Sequence, residues 1–320
     1  MYHIFFNSQD NEDWLRLFPS RKGLVGNCQF HFSKEKIKNQ KIDFFIVFNK
    51  ISTNTARFNY NKENSLLIAC EPPSVYQYHK DYLNQFKYRI ITKNNYYFEK
   101  YLDENIYFPW HIGANRKSSF AHKNLNFNQL VNLSPTKKKL ISVIRTNKVL
   151  CYEHEIRNKI IDTLIDNFGD QIDVFGRNDN YISDKKDALL DYHYHISIEN
   201  FFGNNFWTEK LSDPLIAKCN PIYLGCKNLN KYFDTEFYKL SEKNIDKNLR
   251  LIEKIIKSKN HKFNYEKARD QIFEKYNLFV FLANFVNRNY SKKNNFKIIY
   301  KEKKYTNLNF YKRKFRELLR

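Results

Sequence analysis

Short apolar runs of strand length alternate with segments of helical periodicity along most of this 320-residue sequence. The runs of a first series lie at residues 42–48, 65–70 and 88–92, with a fourth candidate at 107–112. Those of a second series lie at residues 140–144, 171–175, 195–198 and 221–224. Strands separated by helices form parallel sheets from βαβ units, so this pattern predicts the α/β class.

Two such series in tandem predict two Rossmann-like domains that face each other across a cleft. In folds of this kind, ligands bind beyond the carboxyl ends of the strands. Residues 113–139 lose the pattern and carry Lys, Asn and Ser, which is typical of a connection between domains. We therefore expect an N-terminal domain at residues 1–134, a second domain at 135–290 and a tail at 291–320. Helices are expected at residues 76–86, 153–168, 185–192, 208–218, 246–258 and 264–287.

The chain is strongly basic, and the charge is concentrated near its end. Lys and Arg number 55 against 34 Asp and Glu, a formal net charge of +21. In residues 291–320, eleven basic residues are interleaved with aromatic ones and only two Glu are present. Such a segment suits an anionic membrane surface, a nucleic acid or simply a solvated helix end. No apolar stretch approaches the roughly 20 residues that span a bilayer, so we expect a soluble or peripheral protein.

Several common kinds of site are not indicated by any motif. The five Cys lack the two-residue spacing of zinc and redox motifs, and we expect buried free thiols in a reducing cytoplasm. The glycine-rich nucleotide loops, the H-E-x-x-H helix and the D-x-D pair are also absent. Paired carboxylates would hold a cation on a nucleotide diphosphate. Without such carboxylates, the charge of a bound diphosphate would have to be neutralised by Lys, Arg and helix N-termini. Neither a metal nor another cofactor is therefore predicted.

The most informative stretch reads HISIENFFGNNFWTEKLSDPLIAKCNPIYLG and ends at Gly225. A predicted strand ends at Asn200, and a helix is expected to begin after Thr208, a suitable N-cap residue. Lys210 in the first turn opposes the helix dipole, and a bound diphosphate would remove that conflict. Glu209 is suited to accept hydrogen bonds from ribose hydroxyls, or it is simply a favourable acid of the first turn.

This stretch resembles the signature of glycosyltransferase family 10, the α1,3/α1,4-fucosyltransferases. Family members read close to F-E-N-S-x-x-x-x-Y-V-T-E-K, followed by a helix and a P-V/I-x-x-G strand. Here I-E-N, eight intervening residues, E-K and N-P-I-Y-L-G keep that spacing. The resemblance extends over most of residues 140–240 and, weakly, over the first domain. It implies the GT-B fold, with an N-terminal acceptor-binding domain and a C-terminal domain that binds the nucleotide-sugar.

The resemblance also implies roles for individual residues in the second domain. Asn200 and Glu209 match the positions that hold the ribose of the donor, and Lys210 matches a position that binds its phosphates. Arg157 matches an Arg at the start of a helix that neutralises the diphosphate, although an exposed helix cation is the alternative.

Three residues of the signature depart from the family pattern. Phe206 stands where the family has Tyr, so packing replaces a hydroxyl contact at this donor-binding position. Phe201 replaces a Ser or Thr, and Trp207 replaces a small aliphatic residue. These departures leave the sugar preference of the donor pocket open.

In the first domain, Glu71 follows a predicted strand and precedes two prolines. The segment C-E-P-P-S resembles the family's E-S-P-S segment, whose Glu is the presumed catalytic base. An inverting transfer needs a carboxylate that takes the proton of the acceptor hydroxyl. His111 is a candidate acceptor-side residue, with a packed strand-end histidine as the alternative, whereas His193 and His195 are predicted to be structural.

These expectations combine into a hypothesis of an inverting glycosyltransferase that transfers fucose from GDP-fucose to a hydroxyl of a surface oligosaccharide or lipid-linked glycan. We expect it in the cytoplasm, held on the inner face of the membrane by residues 291–320. A transferase of the same fold that uses another GDP-sugar is the first alternative. A non-enzymatic nucleic-acid-binding protein is the second, and it leaves the spacing of the signature unexplained.

Overall fold

A computed structural model describes residues 1–9, 13–52, 55, 57–72, 74–92, 102, 104–105, 107–115, 124–147, 149–176 and 180–301. The chain forms two compact units. Unit 1 comprises Met1–Glu12, Gly23–Ile106 and Ala283–Arg320, and unit 2 comprises Asp13–Lys22 and Tyr107–Leu282. The last part of the predicted tail, residues 302–320, lies outside the described residues.

Unit 1 is formed around a six-stranded sheet. Up to residue 91, the elements of this unit are β1 (Tyr2–Ser8), β2 (Leu24–Val25), β3 (Cys28–His31), β4 (Phe44–Phe48), β5 (Asn59–Asn61), β6 (Ser65–Ala69), α1 (Lys80–Leu83) and β7 (Tyr88–Ile91), and all of these strands except β5 belong to the sheet. The sheet has the order β2-β3-β1-β4-β6-β7, and every pair except β2 with β3 is parallel. All five residues of β4 and of β6 are buried, as expected for parallel strands covered on both faces.

Unit 2 contains a five-stranded sheet in which all the strands are parallel. Its elements are α2 (Phe127–Val131), β8 (Lys139–Arg145), α3 (Tyr152–Phe168), β9 (Ile172–Gly176), β10 (Tyr192–Ile198), α4 (Glu209–Ile216), β11 (Asn220–Leu224), β12 (Tyr238–Lys239), α5 (Ile245–Lys257) and α6 (Glu266–Glu274). A last helix, α7 (Leu278–Asn289), begins in unit 2 and ends in unit 1. The sheet order is β12-β11-β10-β8-β9, so the chain moves to opposite sides of β8 when it forms β9 and β10.

That change of direction creates a crevice beyond the carboxyl ends of β8 and β10. Open parallel sheets bind their ligands at such a topological switch point. Below it, apolar residues of α3 such as Ile160 and Leu164 pack with Val143 and Ile196 of these two strands. A buried core of this kind holds the strand ends in fixed positions, which is what a binding site requires.

Several sequence predictions differ from the structure, and the first concerns residues 107–112, which form no strand. Pro109 cannot donate a ladder hydrogen bond. The buried guanidinium of Arg16 instead donates to the carbonyl oxygens of Trp110 and Ile112. The segment is therefore held by a side chain where a neighbouring strand was expected.

Strands β1 and β3 were not predicted, because their apolar runs are short and polar residues follow closely. The helix expected at residues 76–86 is reduced to α1, since the backbone N–H groups of Val75 and Tyr76 both donate to the carbonyl of Pro72. The helix expected at residues 264–287 is interrupted before α7. There, the side chain of the buried Asn277 accepts a hydrogen bond from the N–H of Phe279 and so begins a new helix.

The unit boundaries fall at residues 106 and 282, whereas domain boundaries were expected at 134 and 290. Residues 107–134 belong to unit 2 because Trp110 and Phe127 pack on Phe273 of α6. Residues after α7 belong to unit 1, where β13 (Phe296–Ile298) pairs with β5 and Ile299 is fully buried in the core. The assignment of the domains to acceptor and donor stays a prediction.

Candidate functional site

A cavity of about 520 Å³ lies at the crevice between β8 and β10 in unit 2. It is bounded by the end of β8, the first turns of α3, the residues that follow β10 and the first turns of α4. Seven of its lining residues carry charged or amide side chains: Arg145, Arg157, Lys185, Asn200, Glu209, Lys210 and Asp213. Four of the predicted donor-binding residues therefore meet in one place.

Arg157 and Asn200 form one wall of the cavity. The Nη1 atom of Arg157 donates to Oδ1 of Asn200 at 2.8 Å, and its Nη2 atom donates to the carbonyl of Thr146 at 3.2 Å. Only 5% of Arg157 is exposed, and burial lowers the pKa of its guanidinium. The alternative of an exposed helix cation is therefore wrong, because Arg157 points into the protein and lines the cavity.

The loop between β10 and α4 is held by Glu199, which is completely buried. Its two oxygens accept hydrogen bonds from the N–H and the hydroxyl of Thr208, each at 2.8 Å. Thr208 in turn accepts from the N–H of Lys210 and is the N-cap of α4, as predicted. A side chain at residue 225 would collide with Glu199, since a Cβ atom on Gly225 would lie 2.4 Å from its Cγ. The spacing of the signature thus reflects one buried carboxylate that joins strand, loop and helix.

Glu209 begins α4 and lies beside two lysine ammonium groups and a histidine ring. Its Oε1 atom lies 3.2 Å from Nζ of Lys185, 3.3 Å from Nζ of Lys210 and 3.7 Å from Nδ1 of His111. Burial alone would raise the pKa of Glu209, but the charges of Lys185, Lys210 and His111 outweigh it and hold that pKa well below its ordinary value. Glu209 is therefore an ionised hydrogen-bond acceptor at the cavity wall.

Lys210 and Arg157 place two positive charges close together. Burial and the charge of Arg157 lower the pKa of Lys210. The carboxylates of Glu209 and Glu199 raise that pKa, and their effect is the larger one, so the pKa of Lys210 lies above its ordinary value. Both side chains line the cavity at the N-terminus of α4, which is the positive end of the helix dipole. The arrangement can accommodate a multiply charged anion such as a diphosphate.

The other predicted site residues lie in different surroundings. The buried ring of Phe206 contacts Phe108 and Phe201 and is not among the residues that line the cavity. His111 donates its backbone N–H to Asp213 and belongs to unit 2, not to the N-terminal domain. Glu71 follows β6 in unit 1, is half-buried and donates its backbone N–H to the hydroxyl of Tyr78 at 3.4 Å. The roles predicted for these three residues stay predictions.

Sequence reasoning missed three residues of the cavity: Lys185, Asp213 and Ser197. Asp213 follows Glu209 by one helical turn, a spacing that places both on one face of α4. Ser197 has a buried hydroxyl, and no hydrogen-bond partner for it is found in the described part of the chain. No local pattern points to Lys185, because its contacts are 24 and 28 residues away in the sequence.

Two further searches concerned metal sites and membrane spans. Among the residues that the structure describes, no three His, Cys, Asp or Glu side chains are grouped so that they could hold a metal ion. The predicted independence from metal stays a prediction. Within the same residues, no helix combines the length and the apolar composition needed to cross a bilayer. All five Cys are free and buried, as expected.

Residues 134–267 match the family model of glycosyltransferase family 10 (fucosyltransferase), C-terminal. The whole chain is similar to a crystal structure of an alpha1,3-fucosyltransferase, with 16% identity, a TM-score of 0.50 and coverage of 95% of this chain and 93% of that one. A crystal structure of alpha1,3-fucosyltransferase with GDP-fucose has 16% identity, a TM-score of 0.47 and coverage of 93% and 92%. No curated protein sequence matches the chain.

The first structural likeness extends over both units and confirms the predicted GT-B class of α/β fold. The family match covers the cavity described above, including the complete stretch from Glu199 to Gly225. The resemblance of this stretch to the family signature is thereby confirmed. Residues 134–267 are thus similar in sequence to the C-terminal part of the glycosyltransferase family 10 (fucosyltransferase) proteins.

Proposed function

We propose that the chain is an inverting glycosyltransferase that binds a GDP-sugar, GDP-fucose in the first place, and transfers the sugar to an oligosaccharide hydroxyl. One observation carries the proposal: Arg157, Lys210 and the N-terminus of α4 meet at one cavity at the switch point of the sheet of unit 2. The family match supports a sugar nucleotide as the ligand.

The cations are proposed to hold the diphosphate. During transfer, the bond between the sugar and the diphosphate breaks, and negative charge develops on the leaving phosphate. Lys210 and Arg157 stabilise this charge, together with the positive end of the α4 dipole. Because the guanidinium of Arg157 is fixed by hydrogen bonds before the ligand arrives, it needs little reorganisation when the charge appears.

Asn200 and Glu209 are proposed to bind the ribose. Both lie beside the two cations, so a nucleotide whose diphosphate contacts Lys210 brings its ribose near them. Glu209 is ionised and accepts hydrogen bonds from hydroxyl groups without a competing proton. Charge-assisted hydrogen bonds of this kind are the stronger ones in proteins.

Glu71 is proposed to be the base. It takes the proton from the acceptor hydroxyl while that oxygen attacks the anomeric carbon, and GDP leaves from the opposite face, which inverts the configuration. Its place directly after β6, between Cys70 and Pro72, restricts its backbone. His111 stays a candidate on the acceptor side, and its Nδ1 atom lies 3.7 Å from Oε1 of Glu209.

The first experiment compares thermal shifts with GDP, UDP, CMP and TDP in the absence of metal, for the wild type and for Lys210→Ala. At a concentration about 100 times Kd, binding stabilises the folded state by about 2.7 kcal/mol. For a chain of this size, that is a rise of several degrees in Tm. We expect the rise with GDP only, its loss in Lys210→Ala and its retention in Lys218→Ala, a control whose Nζ pairs with Glu266 away from the cavity.

A panel of GDP-sugars with an oligosaccharide acceptor then tests transfer, and the anomeric configuration of the product tests inversion. Transfer from another GDP-sugar but not from GDP-fucose would favour the first alternative. A lack of any nucleotide response, together with tight binding of RNA or DNA that weakens steeply with salt, would replace the transferase by a nucleic-acid-binding protein.

We further propose that the protein is held on an anionic membrane surface near its acceptor. Phe296, Ile298 and Tyr300 are each about half exposed or more, and Lys297 and Lys301 lie between and beside them. Basic and aromatic side chains on one segment suit a lipid interface. Removal of residues 302–320 combined with Ser at positions 296, 298 and 300 should abolish binding to anionic liposomes, and unchanged binding would refute the proposal. Complete removal of residues 291–320 is unsuitable, because Ile299 is part of the core of unit 1.

A further inference from the structure

We propose that Lys185 is a positioning residue that orients the carboxylate of Glu209 toward the ribose hydroxyls, and thereby gives the site its preference for ribonucleotides over deoxyribonucleotides. The inference rests on the proposed function, because it assumes that a nucleotide occupies the cavity. It concerns a residue that no sequence motif indicates.

The first argument is that only one oxygen of Glu209 is occupied. Lys185, Lys210 and His111 all approach Oε1, at 3.2, 3.3 and 3.7 Å. The Oε2 atom accepts no hydrogen bond from any residue that the structure describes, although Glu209 lines the cavity. The carboxylate is thus held at one oxygen, and the other is available to a ligand.

The second argument is that Lys185 is itself fixed from behind. Its Nζ atom donates to Oδ2 of Asp213 at 2.9 Å, and Oδ1 of Asp213 accepts the backbone N–H of His111 at 2.9 Å. Asp213 is completely buried. A chain of contacts therefore leads from the backbone at His111, through Asp213 and Lys185, to Oε1 of Glu209.

The third argument concerns Lys210, which also contacts Oε1 but is less suited to orient it. Its Nζ atom is shared with the hydroxyl of Thr208 at 3.4 Å and with Oε2 of Glu199 at 3.8 Å. A diphosphate would draw the same ammonium group away from Glu209. Lys185 keeps the carboxylate in place when Lys210 turns to the phosphates, and among the charges that lower the pKa of Glu209 its contribution is the largest.

The experiment measures Kd by calorimetry for GDP, 2′-deoxy-GDP and 3′-deoxy-GDP, and the readout is the ratio of deoxy to ribo Kd. A hydrogen bond to a charged group predicts a ratio of roughly 10 to 100 in the wild type for at least one of the two analogues. We expect Lys185→Met to reduce that ratio to within about threefold of unity, and Lys185→Arg to restore most of it. Lys186→Met, which removes the same charge from the neighbouring residue, whose Nζ atom lies near Asp184 and not near Glu209, should keep the wild-type ratio.

A double-mutant cycle separates orientation from a general loss of structure. In a Glu209→Gln background, Lys185→Met should change the ratio no further, since both substitutions remove the same contact. The pH dependence gives a second readout: without Lys185 the pKa of Glu209 rises. The ribose preference that Lys185→Arg retains should therefore persist to lower pH than any residual preference in Lys185→Met.

Each outcome is decisive. If the wild type does not bind GDP, the proposed function is wrong and the inference falls with it. If the wild type binds GDP but treats all three nucleotides alike, or if Lys185→Met keeps the ratio, the inference is wrong while the proposed function stands. If Lys185→Met does not fold, the ratio of deoxy to ribo Kd is compared between Lys185→Arg and Lys185→Gln. A wild-type ratio in Lys185→Gln would contradict a role for the charge of Lys185.

Discussion

The Nη1 atom of Arg157 in α3 lies 2.8 Å from Oδ1 of Asn200, the residue that follows Glu199 beyond the end of β10. The two residues are 43 positions apart in sequence, and their contact joins the helix after β8 to the strand on the other side of the crevice. Because the guanidinium also donates to the carbonyl of Thr146, its plane is fixed before any ligand binds. The cavity wall therefore depends on the planar, forked shape of the Arg157 guanidinium as well as on its charge.

Arg157→Lys should accordingly weaken GDP binding although the charge is kept. A lysine presents one ammonium group and cannot contact Asn200, Thr146 and a phosphate in the fixed arrangement of a guanidinium. We expect GDP affinity to fall about tenfold or more, measured by calorimetry. Arg250→Lys, an exposed arginine on α5, is the matched control and should bind GDP as the wild type does. Equal affinity in both variants would contradict the role of Arg157.

Gly225→Ala should destabilise unit 2 and weaken nucleotide binding together. The added Cβ atom would lie 2.4 Å from Cγ of Glu199 and 2.6 Å from the hydroxyl of Tyr223, so the buried carboxylate that holds Thr208 must move. Overpacking of this kind costs about 1–3 kcal/mol. Urea unfolding measures it, with Gly169→Ala as control, because nothing lies within 4 Å of a Cβ atom there. If Gly225→Ala kept the stability and the nucleotide affinity of the wild type, the loop would tolerate a displacement of Glu199 and the prediction would be wrong.

The stability of the protein should decrease below neutral pH because of His195. This histidine is buried and bonded to Ser142 at 2.8 Å, and burial lowers its pKa to about 3. Between that value and the unfolded pKa of about 6.5, the unfolded state binds a proton that the native state does not. The contribution is therefore fully present above pH 6.5 and is lost as the pH falls toward 3, at up to about 1.4 kcal/mol per pH unit.

Urea unfolding at pH 7.5, 6.0 and 5.0 checks this expectation. His195→Asn should be less stable than the wild type at pH 7.5, since it alters the contact with Ser142. Its free energy of unfolding should also decrease less steeply on acidification. Parallel pH profiles for the two proteins would contradict the assignment to His195.

Arg269→Met should unfold unit 2 at markedly lower urea concentration. The guanidinium is buried and donates to the carbonyl oxygens of Ile216, Leu130 and Val131, which close the ends of α4 and α2. Without it, buried carbonyl groups lose their donor, each at a cost of about 1–3 kcal/mol. Lys267→Met, on the exposed face of α6, should change stability by less than about 0.5 kcal/mol. A change in the free energy of unfolding as small as that of Lys267→Met would contradict this role of Arg269.

Much of unit 2 was predictable from local sequence because its signals are local. Strands β8 to β11 are apolar runs between turn residues, and the Thr208 cap follows from one side chain and the N–H groups of the next turn. Asn200, Glu209 and Lys210 follow β10 or begin α4, so their convergence at one end of a parallel sheet is a consequence of topology. Other parts were harder to predict. The apolar runs within β1 and β3 of unit 1 are short, and the segment at residues 107–112 of unit 2 has the composition of a strand but forms none.

By itself, the sequence determined the alternation of strands and helices, the parallel sheets, and the spacing that places Asn200 after β10 and Lys210 in the first turn of α4. Only the tertiary structure decided that Arg157 points inward to Asn200, that Phe206 packs away from the cavity, and that Lys185 holds Glu209. The physical reason is that periodicity and capping depend on neighbours a few residues away. The ionisation and orientation of a buried carboxylate depend on charges that the fold brings together from residues 111, 185, 210 and 213.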